Sequence, residues 1–354
     1  MDYGAVNNRS QFSELVRYSP SMMTTAGTLT IFIMVIGVLG NMLTLVALLR
    51  HSKIRTVAAA FIARLYFCSL CLSDLLLCFL VLPFAASQFF QGTWIHGDVF
   101  CKMVPTLRYG TVGVSLLSIA SISINRYILI AWPHVYSKIY TKTTVILYIS
   151  AIWIFSFGLQ VPTLFGVWGM FGFDKKLGTC SIILDKNGRS SKTALFVLAF
   201  ALPTVIIVIC YSSIYWTVRQ SHKRLAQHSS DGGKFKKSEM KITKMVLVIF
   251  ICFVVCYLPI TIVKIFDDNV RKPPLHVLGY LLVYLASCVN PVVYVTMNKQ
   301  YRYAYLETLK CKYNSNLDSI TPAPTASKPP AITLGQLKYN SSTKNSDARL
   351  KSIS

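Results

Sequence analysis

Charge is scarce in this chain, and acid is scarcer still. Only 14% of the 354 residues are charged, with 13 Asp and Glu against 36 Lys and Arg, where soluble domains carry about 25% charged residues. With 53% hydrophobic residues and a mean hydropathy of +0.51, a soluble fold would be oversupplied with core. Histidine is also sparse. His51, His96, His134, His222, His228 and His276 all fall in or beside expected loops, and none belongs to an H-E-x-x-H motif, so an intramembrane enzyme would lack its metal ligands. No long internal repeat is visible, nor are the paired broken helices of a transporter. Residues 1–26 lack the charged start, short apolar core and small-residue cleavage site of a signal peptide. The first apolar span is therefore expected to serve as the insertion signal.

Seven apolar stretches are long enough to cross about 30 Å of hydrocarbon at roughly 1.5 Å per residue. They fall at 27–49, 58–84, 99–130, 143–168, 194–218, 242–266 and 275–297. They predict an all-α membrane protein, a seven-transmembrane helix bundle spanning 27–297. A short amphipathic cytoplasmic helix is expected over 298–312, and a disordered Ser/Thr/Pro/Lys-rich tail over 313–354. Arg50, Lys53 and Arg55 follow the first span, and Lys138 and Lys142 precede the fourth. Arg219, Lys223, Arg224 and the lysines from Lys234 to Lys244 flank the fifth and sixth, and Lys299, Arg302, Lys310 and Lys312 follow the seventh. The positive-inside rule makes these ends cytoplasmic and residues 1–26 extracellular, in a multi-pass plasma-membrane protein.

The formal charge of +23 sits largely in these juxtamembrane clusters, which set topology and meet anionic membrane lipids, so nucleic acid is not an expected partner. Of the ten cysteines, most lie within spans as small hydrophobes. Cys101 and Cys180 are the two expected outside, where an oxidising compartment favours their disulfide. Cys311 follows the amphipathic segment as either a palmitoylation site or a free thiol. Asn8 opens an outside N-x-S glycosylation acceptor, whereas Asn340 matches the same pattern on the cytosolic side.

Polar residues deep in apolar helices carry the functional signal, because an unsatisfied polar group in hydrocarbon costs several kcal/mol. Gly40-Asn41, Leu72-Ser73-Asp74, Cys101, Asn125-Arg126-Tyr127, Trp153, Pro203, Tyr211, Phe253, Cys256-Tyr257-Leu258-Pro259 and Asn290-Pro291-Val292-Val293-Tyr294 mark successive spans. In this order they resemble the rhodopsin-like G-protein-coupled receptors over about residues 27–312. Val57-Ala58-Ala59-Ala60-Phe61-Ile62, Gln91-Gly92-Thr93-Trp94 and Thr179-Cys180-Ser181-Ile182 resemble more narrowly the arthropod trapped-in-endoderm and moody-like receptors. That resemblance implies a receptor that guides migrating cells and couples an extracellular ligand to a heterotrimeric G protein, without catalysis of its own. Arrestin would bind phosphorylated tail residues such as Ser341, Ser342, Thr343 and Ser346. A seven-helix transporter or channel is the competing class.

Asp74 is the only acid well inside an expected span, with oxygens of Ser115, Asn290 and Asn41 as candidate neighbours. Hard cations prefer oxygen ligands, and the resemblance implies an allosteric sodium site here, with no other cofactor. A protonated Asp74 in a structural hydrogen-bond network is the alternative. Ala286 stands where many relatives carry a further polar residue. Arg126 is expected to exchange a resting carboxylate for Tyr211 and G-protein backbone on activation, or else merely to snorkel. The family's usual adjacent acid is replaced by Asn125, which leaves Glu239 as its counter-charge. Pro259 and Pro291 permit kinks, and Tyr294 leads into the amphipathic segment.

Arg108 lies about 27 Å along a helix from Arg126, and Lys264 lies just beyond Pro259. With Tyr109, Tyr257 and Tyr284 they form the expected ligand pocket. Two cations facing one cavity favour a carboxylate or phosphate on an anionic or lipid-like ligand. The alternative has Lys264 meeting Asp267 or Asp268, with Arg108 paired internally. The family's amine-binding acid would stand at Arg108 and its retinal-binding lysine at Tyr284, so both ligand types are disfavoured. Between Asn41 and Asp74 the chain is several residues longer than in the receptors it resembles, around Ala63-Arg64-Leu65-Tyr66-Phe67, which lengthens span two, bulges it, or reflects a gene-model error. Arg64 is expected to snorkel at the cytoplasmic interface.

Overall fold

The computed structural model describes residues 18–50, 58–225, 233–267 and 269–310. Seven helices among them are long and apolar enough to cross a membrane: Pro20–Arg50, Phe61–Gln91, Gly97–Ala131, Lys142–Leu164, Lys192–Gln220, Met240–Phe266 and Pro273–Met297. They are spans one to seven below. Spans two, three and seven have 67, 61 and 67% of their apolar windows buried, against 17 and 22% for spans four and five. The former make the centre of the bundle and the latter its rim. Phe32, Ile36, Leu39, Leu147, Ile154, Val205, Ile209 and Val255 face outward and exposed, a surface matched to lipid rather than water.

Local chemistry sets where the helices start, bend and stop. Span four opens on a reciprocal cap in which Thr141 Oγ1 accepts from Thr144 N at 3.2 Å and Thr144 Oγ1 accepts from Thr141 N at 2.9 Å, satisfying two otherwise orphaned donors. Span two runs as one regular helix through Ala63 to Phe67, with no bulge there. Its ladder pauses at Val81, two residues before Pro83, and it closes at Gly92 with φ 66°. The pause suits a proline that donates no hydrogen bond, and the left-handed end suits glycine. Span five carries a π-helical turn at Val197–Ala201 just ahead of Pro203, a local widening of the kind found at functional sites. Spans six and seven approach closely at Gly279, where an added Cβ would lie 2.8 Å from Ile260 Cβ and 3.1 Å from its Cα, so only glycine fits.

Between spans four and five the chain forms an antiparallel hairpin, β1 Met170–Asp174 and β2 Thr179–Ile183, with Phe173 paired to Cys180. Hydropathy alone gave no sign of it. The Cys101–Cys180 disulfide ties β2 to the start of span three. At the opposite end of the bundle a short helix, Lys299–Leu309, is capped by Asn298, whose side chain accepts from Gln300 N at 3.0 Å. Its Tyr305 hydroxyl meets Thr44 of span one, and its Tyr301 ring lies 5.3 Å from Tyr294. Asn8, Cys311 and the tail serines and threonines lie outside the described residues.

Candidate functional site

The polar residues singled out in the sequence form three groups along the bundle. In the middle, Asn290 Nδ2 donates to Asp74 Oδ2 at 2.7 Å, and the hydroxyls of Ser73 and Ser115 are 2.9 Å apart. Asp74, Ser115, Phe253, Tyr257, Ala286 and Asn290 line a cavity of about 10 Å³, close to the room one water needs. Asp74 is buried. Asn41 Nδ2 donates to the Gly37 and Ser287 carbonyls at 2.9 and 2.8 Å, stitching span one to span seven at Ser287 of the cavity wall.

At the end away from the disulfide, Arg126 is fully buried and donates from Nε and Nη2 to Asn125 Oδ1 at 3.1 and 2.8 Å. Asn125 Nδ2 in turn donates to the Tyr136 hydroxyl at 3.3 Å, so the amide has one partner for each end. Tyr127 turns from this group toward Trp132, ring centroids 6.2 Å apart. Tyr211 donates to the Thr243 carbonyl at 2.9 Å, joining spans five and six. Tyr294 is buried below Pro291, its ring 5.0 Å from Phe67. The side chain of Glu239 lies outside the described residues. Arg64 corrects the expectation of snorkelling: it is 8% exposed, its Nε and Nη1 are without hydrogen-bond partners among the described residues, and its guanidinium lies 5.7 Å from the Phe61 ring centre.

The third group lies beneath the hairpin. Arg108 donates to the Cys180 carbonyl at 2.9 Å, and its guanidinium lies 5.4 Å from the Tyr109 ring and 5.6 Å from the Tyr280 ring. Lys264 Nζ lies 5.1 Å from the same Tyr280 ring. Tyr109 is held 3.2 Å from the Ser181 hydroxyl, and Tyr284 is buried within electrostatic reach of Arg108. Tyr257 stacks on Phe253 at 4.0 Å and lines the Asp74 cavity, so it forms a partition between the middle and outer groups. Neither Arg108 nor Lys264 touches a carboxylate among the described residues. Of the expected alternative, Arg108 does pair internally, with the Cys180 carbonyl, whereas Asp267 is not a partner of Lys264 and Asp268 lies outside the described residues. Asp267 instead accepts from Arg271 N, Lys272 N and His276 Nε2 at 2.7, 2.8 and 3.3 Å. Partial burial pushes the Asp267 carboxyl upward, but the two backbone donors and His276 outweigh it and hold the group below its ordinary range.

Sequence reasoning missed Gln88, His276 and Tyr280. Gln88 grips the hairpin, donating to the Gly178 carbonyl at 2.8 Å and accepting from Thr179 at 2.9 Å. The other two carried a readable signal: His276, Tyr280 and Tyr284 recur every fourth residue, one stripe along a helix.

A membrane-spanning bundle of seven helices, with a polar centre and a pocket under a disulfide-tied hairpin, defines a seven-helix membrane protein. Residues 40–294 match the family described as "7 transmembrane receptor (rhodopsin family)", and the chain belongs to it. It is a family of receptors rather than enzymes. The chain is 44% identical over 356 residues to G-protein coupled receptor moody of Drosophila melanogaster, covering 83% of this chain and 52% of that one. It is 39% identical over 293 residues to protein trapped in endoderm-1 of the same organism, covering 76% and 73%. It thus spans about half the length of the moody relatives. Squid rhodopsin shares the fold with a TM-score of 0.74 at 22% identity, covering 87% of this chain and 94% of that one.

Proposed function

We propose that this protein is a G-protein-coupled receptor whose extracellular ligand is anionic, bound between Arg108 and Lys264 under the hairpin. The observation that carries this reading is the convergence of two cations on one tyrosine ring with no carboxylate beside them among the described residues. Cations in an apolar setting favour an anion that supplies the missing counter-charge. Orientation by the positive-inside rule puts this pocket outside the cell and Arg126 at the cytoplasmic face. Tyr257 joins the pocket to the Asp74 cavity. That cavity presents a carboxylate and hydroxyl oxygens around a single-water space, which fits one sodium ion completed by water. Its occupation would favour the resting arrangement.

Activation on this reading moves span six about Pro259, parting Tyr211 from Thr243 and freeing Arg126 from Asn125 to meet the G protein. Phosphorylated tail residues would then recruit arrestin. A role in guiding cell migration or polarity rests on likeness to moody and trapped in endoderm-1. The test is nucleotide exchange on purified G proteins by the receptor in lipid discs, across a panel of carboxylate and phosphate amphiphiles. Exchange that rises with an acid, and fails for its neutral ester, is the expected result. Acid-driven solute flux without exchange would instead indicate the transporter class.

A further inference from the structure

A second cavity adjoins the cation pair. It lies among the hairpin and the outer ends of spans one, two and seven, has a volume of about 20 Å³, and includes Gln88, Thr179, His276 and Tyr280 in its wall. That is room for one or two water-sized groups. Gln88 and Thr179 bond to each other and to the hairpin. His276 Nδ1 and the Tyr280 hydroxyl, in residues 1% and 8% exposed, have no geometric hydrogen-bond partner among the described residues.

Their chemistry can be assigned. His276 Nε2 faces Asp267 at 3.3 Å, and an ionised carboxylate only accepts, so Nε2 carries the hydrogen. In the neutral ring Nδ1 is then a bare acceptor, costly to leave unpaired in a buried place. The Tyr280 hydroxyl donates or accepts as needed. Tyr280 also links the two places, because its ring faces Arg108 and Lys264 and the residue lines this cavity.

We propose that this cavity receives a hydrogen-bond donor, a hydroxyl or amide N–H, of the same ligand whose acid group meets Arg108 and Lys264. The ligand class is then an amphiphilic acid that also carries a hydrogen-bond donor. This rests on the anionic-ligand reading above.

The test uses the full chain purified in detergent, with thermal-shift titrations of dodecanoate, its hydroxy-substituted positional isomers and their methyl esters. One isomer is expected to bind about five- to tenfold tighter than dodecanoate. His276→Phe should erase that preference while leaving dodecanoate binding intact, and His276→Asn, which keeps an acceptor near Nδ1, should retain part of it. Lys264→Ala should weaken all the acids alike and leave the preference. Should His276→Phe fail to fold, Tyr280→Phe removes only the hydroxyl and should lower the preference. Acids that bind without any hydroxyl preference, or a preference that survives His276→Phe, or Tyr280→Phe where that is the variant measured, would overturn the proposal while sparing the anion reading. Acids that bind no better than their esters would overturn both.

Discussion

Arg126 spends two hydrogen bonds, at 3.1 and 2.8 Å, on one oxygen of its own neighbour Asn125. The acceptor is a neutral amide where the family's usual residue is a carboxylate. Asn125→Asp would place an anion in the same position and deepen the resting state. Glu239→Ala should raise ligand-independent signalling, and Arg126→Ala should abolish G-protein activation without loss of ligand binding. A shift of about 1.4 kcal/mol changes the active-to-resting ratio tenfold. Basal nucleotide turnover at matched surface expression measures it, and unchanged turnover in both Asn125→Asp and Glu239→Ala would place the lock elsewhere.

Arg108 and Lys264 approach the Tyr280 ring at 5.6 and 5.1 Å. Each change to alanine should weaken an acidic agonist by about 1.5–3 kcal/mol, the worth of a hydrogen bond to a charged group. Arg108→Ala should cost more than Lys264→Ala, because Arg108 also holds the Cys180 carbonyl. Dose–response curves for exchange give both values, and a neutral agonist indifferent to both would count against the anion site.

Asp74 is tied to Asn290 at 2.7 Å beside a single-water space. Asp74→Asn removes the charge a sodium ion needs and should abolish any sodium dependence of agonist affinity. Competition binding in sodium against a bulky organic cation checks it. Equal sodium sensitivity in the variant would leave Asp74 a purely structural group.

Cys101 and Cys180, 79 residues apart, are bridged with their Cα atoms 5.2 Å apart. Opening a loop of that length costs about 4 kcal/mol by chain entropy. The hairpin also carries the Arg108 and Gln88 contacts, so Cys180→Ser should impair both surface delivery and ligand binding. Peptide mapping that finds both thiols free in the mature protein would contradict the bridge.

Asp185 organises the turn after β2, accepting from Arg189 N and Asn187 N at 2.9 Å and from Arg189 Nε at 3.0 Å. The backbone N–H of Arg189 leads in holding its carboxyl below the ordinary range, against the upward push of desolvation. A carboxyl lowered on folding stabilises above its unfolded value of about 3.9. That stability is lost as pH falls through the folded value. Melting temperature should therefore drop below about pH 4, with a shallower drop in Asp185→Asn. An identical acid slope in the variant would reject the assignment.

Residue order alone determined the seven spans, because about twenty apolar residues in sequence have one stable disposition in hydrocarbon. It also determined the Cys101–Cys180 bridge and the family, through polar residues at fixed places in apolar helices. Partners across the bundle were decided only by the tertiary structure. Asn41 bonds the Ser287 carbonyl, Arg64 is buried rather than snorkelled, and Tyr280 is the ring shared by two cations. Periodicity tells which residues share a face of one helix. Which face meets which neighbour depends on the rotation and tilt of each helix, and these are set by packing against the others.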